Sequence, residues 1–178
     1  MTFRKRAIGA AKLDVSVFED VEADRGATGQ ALAIVVLSSA AAGIGLTTST
    51  YDAPVITRVI LALLLWVFWA ALTCAIGLYL LPESQTETTI GELLRTIGFA
   101  ASPGTLRVLG VLPGIGRPLY AIGTVWMLIA MVIAIRQALD YRSTARAVLV
   151  CVIAWVIAVA LAALIGGLLF FAADALFS

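Results

Sequence analysis

Histidine is absent from the 178 residues, and charge is scarce: 12 Lys and Arg face 11 Asp and Glu, together 13% of the chain. The missing imidazole removes the commonest general base near neutral pH and a major metal ligand. A net charge of +1 supplies no basic field for nucleic acid. Soluble domains carry about 25% charged residues, so about half the usual charge is missing. The two cysteines, Cys74 and Cys151, both fall inside apolar runs and read as small hydrophobes, with no partners for a disulfide or a metal. What abounds is apolar: 62% hydrophobic residues and a mean hydropathy of +1.05. This is the composition of a polytopic membrane protein.

About 20 apolar residues at 1.5 Å each cross a hydrocarbon core of roughly 30 Å. By that measure the chain holds five candidate spans, at about residues 28–46, 59–81, 92–112, 119–135 and 148–171. The first is rich in small residues, and Ser39/Gly43 and Ala41/Gly45 have the spacing that lets helix backbones approach closely in lipid. Ala162/Gly166 and Ala163/Gly167 repeat the pattern in the fifth. Such faces pack within one chain or between chains, so a homo-oligomer is open. The second span carries Trp66, Phe68 and Trp69, which read as packing, and Pro82 ends it. A polar turn, Thr47–Pro54, separates the first two, and the Leu112–Pro118 turn of Pro and Gly precedes the fourth.

The third element is the least regular. Thr89-Ile-Gly-Glu92 has capping-box spacing, which starts a helix with Glu92 reaching back to the Thr89 amide. Ser102-Pro103-Gly104 then interrupts it, and Arg107 follows. A broken span and a re-entrant hairpin both fit that pattern. The positive-inside bias favours crossing. Five spans place Arg4, Lys5, Arg6, Lys12, Arg25, Arg95, Arg136, Arg142 and Arg146 on one side, against Arg58, Arg117 and Arg107. The expectation is therefore a cytoplasmic N-terminus and a C-terminus outside. Tyr51, Tyr79, Tyr120 and Tyr141 all fall at expected span ends, where an amphipathic ring prefers the interface.

Residues 1–27 form a cytoplasmic segment ahead of the membrane domain, 28–178. Arg4, Lys5 and Arg6 are followed by no apolar run before Asp14, so they do not begin a cleavable signal. Leu13, Val17 and Val21, with Phe18 beside them, define a short amphipathic helix. Its acids, Glu19, Asp20 and Glu22 among them, would be repelled by anionic headgroups, so it docks on the protein's own loops or on a protein partner.

Two groups of residues are candidate sites. Arg136 and Asp140, spaced i, i+4, read as an interfacial ion pair. With Arg142 and Arg146 the same arginine makes a patch for anionic lipid headgroups. Arg107 lies at membrane depth, where a charge costs at least ~2.5 kcal/mol, so it snorkels or pairs. Glu92, Arg95 and the Pro103 break are its candidate companions in an intramembrane polar site. Gln30, Thr73 and Thr124 read as helix-to-helix hydrogen bonders. No Ser or Cys has a nearby base. The glycines of Pro113–Arg117 follow no strand, and Glu83, Glu87 and Glu92 sit on a solvated loop. No enzyme, cofactor or metal site is expected.

Several segments resemble the Yip1 family of membrane proteins. Phe18–Ala31, leading into the first span, is similar to the entry segment of prokaryotic Yip1-domain proteins. Glu92–Pro103 is similar to the family's amphipathic helix, glycine and proline before the third span. Trp126, Arg136-Gln-Ala-Leu-Asp-Tyr141 and Arg146-Ala147 resemble its fourth-to-fifth connection. The resemblance implies five spans and a cytoplasmic N-terminus. Eukaryotic members are implicated in vesicle traffic and association with small prenylated GTPases, but they carry a long N-terminal region, against about 27 residues here. Ten Arg against two Lys fit a prokaryotic member, for which the family implies a membrane location and little else. The expectation is an all-α, five-span protein of the bacterial cytoplasmic membrane, in contact with the bilayer and a protein partner. It acts as a non-enzymatic scaffold or adaptor, with a small transporter or channel and a lipid-handling protein as the alternatives.

Overall fold

The computed structural model describes residues 1–45 and 55–177, which are all-helical with no strand among them. The Thr47–Pro54 turn with Tyr51 lies outside the described residues, and so do the side chain of Arg58 and the Ala162/Gly166 and Ala163/Gly167 pairs. Two short helices come first, α1 (Phe3–Ala11) and α2 (Val15–Ala23). A 3-10 turn, Arg25–Ala27, leads into α3 (Thr28–Gly45). Next come α4 (Val55–Ala75), which ends in a π-helical turn at Ile76–Leu80, and α5 (Ile90–Ala100). A 3-10 helix over Ser102–Val111, α6 (Gly116–Ala138) and α7 (Thr144–Phe177) complete the order.

Four helices among the described residues are long and apolar enough to cross a membrane: Arg25–Gly45, Ile60–Leu80, Gly116–Ala138 and Thr144–Leu161. Their outer faces agree with that. Leu61, Leu64 and Leu65 on α4, Ile122, Val125 and Leu128 on α6, and Trp155 on α7 all point outward and exposed. A contiguous apolar surface of that kind is disfavoured in water and suits lipid.

The third segment keeps its expected start and changes helix type midway. The Thr89 N–H donates to Glu92 Oε2 at 2.7 Å and the Glu92 N–H to Thr89 Oγ1 at 3.2 Å, closing the capping box. Pro103 sits in the first turn of the following 3-10 helix. There its missing N–H costs nothing, because the first turn has no intrahelical partner for it. The proline therefore opens a second helix rather than folding the chain back. This second helix runs alongside α3. A Cβ on Gly98 would lie 2.7 Å from Ala31 Cβ, one on Gly104 would collide with Ser38 Oγ, and one on Gly110 would lie 3.0 Å from Gly45 Cα. These contacts advance in the same direction on both segments. Ala41 and Gly45, a small-residue pair read from the sequence, are buried on α3.

The N-terminal segment folds against the same bundle. Val17, Phe18 and Val21 on α2 are buried in one cluster with Leu93 and Ile97 of α5, Ile135 of α6 and Leu139 just beyond its end. Leu13 is not on that helical face. It holds φ 64° in the turn between α1 and α2, and Asp14 then caps α2 by accepting from the Ser16 N–H at 3.1 Å. Helix α1 has no counterpart in the sequence reading. Its Arg4-Lys5-Arg6 run looks solvated until the tertiary partner of Arg6 is in place.

Candidate functional site

Arg6 is 2% exposed and forms the first charged centre. Its Nε donates to Asp20 Oδ2 and its Nη2 to Asp24 Oδ2, each at 2.7 Å, while Nη1 reaches Gln30 Oε1 at 3.2 Å. The paired guanidinium holds both carboxyls below the usual aspartate range; for Asp24 the Gly26 N–H adds to the effect. Asp20, expected to face a partner, is thus turned inward. Glu19 remains exposed and accepts from Gln137 Nε2 at 3.3 Å.

Arg95 is the second centre. From a buried position on α5 its Nε donates to the Val21 carbonyl at 2.8 Å, and its Nη2 to the Glu22 carbonyl. These are the carbonyls of the last turn of α2, which lack intrahelical partners. Glu92 is occupied in the capping box, so the structure does not bring Glu92, Arg95 and Arg107 together. Glu22, Glu87, Glu92 and Asp140 instead line an open recess of about 550 Å³ with three threonines. Burial, then the charges of Asp140 and Glu92, pushes the Glu22 carboxyl up to about 7, with Arg95 opposing.

The connector after α6 departs from its expected pairing. Helix α6 ends at Ala138, and Asp140 adopts φ 52°, outside the helix and therefore off the i, i+4 face of Arg136. Arg136 Nε donates to the Tyr141 carbonyl at 3.2 Å and Nη2 to the Arg142 carbonyl at 3.5 Å, so it braces the loop rather than pairing with Asp140. Arg146 meets Glu83 at 3.3 Å and the Pro82 carbonyl at 3.1 Å, and the Arg142 N–H donates to Glu83 Oε2 at 3.2 Å. The Tyr141 hydroxyl donates to the Leu81 carbonyl at 2.8 Å. Of the three arginines of the proposed headgroup patch, only Arg142 leaves its side chain unengaged among the described residues.

Arg107 finds its hydrogen-bond partners within the helix bundle. Its Nη2 donates to Ser38 Oγ at 2.8 Å and to the Ser38 carbonyl at 3.1 Å, and its Nε to the Gly104 carbonyl at 3.0 Å. Its guanidinium carbon lies 6.0 Å from the centre of the Tyr120 ring. Among the described residues no carboxylate pairs with it. It borders a cleft of about 260 Å³ between α3, α4 and α6, lined also by Ser38, Trp66, Trp69, Met127 and Met131. Among the described residues the indole N–H groups of Trp66 and Trp69 are buried without a partner, as is the Thr73 hydroxyl. Thr124 bonds within its own helix, to the Tyr120 carbonyl at 2.9 Å. No group of His, Cys, Asp or Glu among the described residues is arranged to hold a metal ion.

Sequence reasoning missed Arg6 and Ser38. Nothing in local spacing marks Arg6, whose partners lie 14 and 18 residues away. Ser38 was visible only as one of several small residues. Comparison with protein-family models, curated proteins and solved structures finds no match to this chain.

Proposed function

We propose that this chain is a five-segment integral membrane protein of Yip1 type, working as a non-enzymatic scaffold or adaptor in a bacterial cytoplasmic membrane. Four long apolar helices supply four of the segments. The fifth is α5 joined to the 3-10 helix, whose 11 and 10 residues reach about 36 Å at 1.5 and 2.0 Å per residue if laid end to end. That length, and its continuous run beside α3, supports a crossing.

The adaptor reading rests on one observation. The α1–α2 pair is fixed to the end of the bundle by two buried arginines, Arg6 and Arg95, and offers a rigid outer face. On α1 that face carries Arg4, Lys5, Ile8 and Lys12, all exposed. The acids expected to meet a partner are partly consumed inside, so the contact surface moves from α2 to α1. The test is gentle co-purification from the native membrane, with mass spectrometry of what stays bound. A stoichiometric protein lost on Arg4→Glu with Lys5→Glu supports the reading. A clean protein carrying lipid alone, before and after the swap, would end it.

A second reading, a small transporter, draws on Arg107 and the ten-residue 3-10 helix, because irregular helix at membrane depth is tolerated mainly where it is buried or lines a cavity. Liposome flux that disappears in Arg107→Ala while folding persists would favour it over the scaffold.

A further inference from the structure

We propose that the cleft between α3, α4 and α6 binds an anionic amphiphile: one carboxylate or phosphate group on a hydrocarbon chain. The polar groups at the cleft are biased toward donation. Arg107 Nη1 makes no hydrogen bond among the described residues, while Nε and Nη2 are held by Gly104 and Ser38. Among the described residues the indole N–H groups of Trp66 and Trp69 are buried and without a partner, and both residues line the same space. Trp66 is itself only 9% exposed. Buried donors of this kind ordinarily have acceptors, and no acidic side chain lines the cleft to provide one.

The oxygen atoms of Ser38 accept from Arg107 Nη2, and among the described residues neither indole N–H reaches them. Beyond the Ser39 hydroxyl, the cleft leaves the acceptor for a ligand to bring, and a formal negative charge matches the guanidinium. Apart from Ser39 the rest of the wall is apolar, with Val35, Leu65, Ile97, Met127 and Met131, and methionine adapts to irregular chains. The cleft is open rather than sealed, and its roughly 260 Å³ holds a polar group with a short length of chain. The remainder of the ligand runs out between the helices. A cationic or zwitterionic headgroup gains less, since its positive end would meet the guanidinium with no carboxylate to receive it. Arg107 is held in place by Gly104, which takes Nε, and by Ser38, which takes Nη2, leaving Nη1 without a hydrogen bond among the described residues.

The experiment uses the full chain in nanodiscs of neutral phosphatidylcholine. Exposed Trp126 and Trp155 are replaced (Trp126→Phe, Trp155→Phe), so that only Trp66 and Trp69 report. Dibromostearate, its methyl ester and dibrominated phosphatidic acid are titrated in while tryptophan quenching is followed. Saturable quenching by a free acid at least about tenfold tighter than by the ester is expected, since the two share the same chain and the ester lacks the charge. Quenching by stearate alone assigns a fatty-acid source, and quenching by phosphatidic acid alone or by both assigns the phosphate or the shared anion. Equal, unsaturable quenching by acid, ester and phosphatidic acid alike overturns the proposal without any cleft mutation. Arg107→Gln should erase the acid–ester difference and Arg107→Lys should keep part of it. A difference unchanged in folded Arg107→Gln also overturns it. The scaffold reading is untouched by either result, because it stands on α1 and partner capture.

Discussion

The Nε–H of Arg95 donates to the Val21 carbonyl at 2.8 Å across 74 residues of chain, clamping the last turn of α2 to α5. Hydrogen bonds from a charged donor contribute about 1.5–3 kcal/mol each where buried. Arg95→Ala should therefore detach α2 and lower thermal stability in detergent by about 2–3 kcal/mol, since it also strands two carbonyls. Hydrogen exchange over residues 15–23 is the direct readout. Unchanged protection there would show that the apolar contacts of Val17, Phe18 and Val21 hold the helix alone.

Glu22 sets a pH dependence. Its carboxyl is raised to about 7, chiefly by burial, against the ordinary value of 4.5. A raised pKa means that the folded state binds the proton more tightly than the unfolded one. The stability it contributes is complete below about pH 4.5 and is lost as pH rises to about 7. Asp20 and Asp24 act oppositely, with lowered values, and weaken the fold only below about pH 3.8. Docking of α2 should thus be firmer at pH 5.5 than at pH 8, and Glu22→Gln should flatten the difference. Pulsed proteolysis at the two pH values would show it, and equal cleavage rates in the parent protein would rule it out.

The close approach of the third segment to α3 leaves no room at Gly110, where a side chain would press on the Gly45 backbone. Overpacking of this sort costs about 1–3 kcal/mol, and rigid backbone on the other side places Gly110→Val at the upper end. Thermal melting in detergent is the check. A variant as stable as the parent would mean the two segments separate easily.

Topology separates five crossings from four. With Cys74 and Cys151 replaced by alanine, cysteines at Ser84 and Ser143 should react with an impermeant thiol reagent from the cytoplasmic side. One at Ile115 should react from outside. Labelling of Ser84→Cys and Ile115→Cys from the same face would remove the fifth crossing.

Much of the architecture was legible because hydrophobic run length and turn residues are local signals. The four long helices, the Thr89–Glu92 box and the break at Pro103 were all read that way. Arg136 with Asp140 failed because the helix ends two residues short of Asp140, a boundary that spacing alone does not fix. The partners of Arg6 and Arg107 were not legible, for a shared reason. Besides the Gly104 carbonyl within Arg107's own helix, both find acceptors on a different element, 14 or more residues away in the chain, and no periodicity records such a partner.

The 3-10 geometry of Ser102–Val111 has a further consequence. At three residues per turn, Gly104, Arg107 and Gly110 stand in single file along one meridian of the helix. In an α-helix, at 100° per residue, the same three would fan across about 120° of its circumference. On the opposing α3, Ser38 and Gly45 are seven residues apart, close to two full turns, and so also share a meridian. A threefold winding and a near-heptad are thereby brought into step at two teeth, with the guanidinium seated between them. One rewound turn would leave Arg107 facing elsewhere and the glycines with nothing to mesh against.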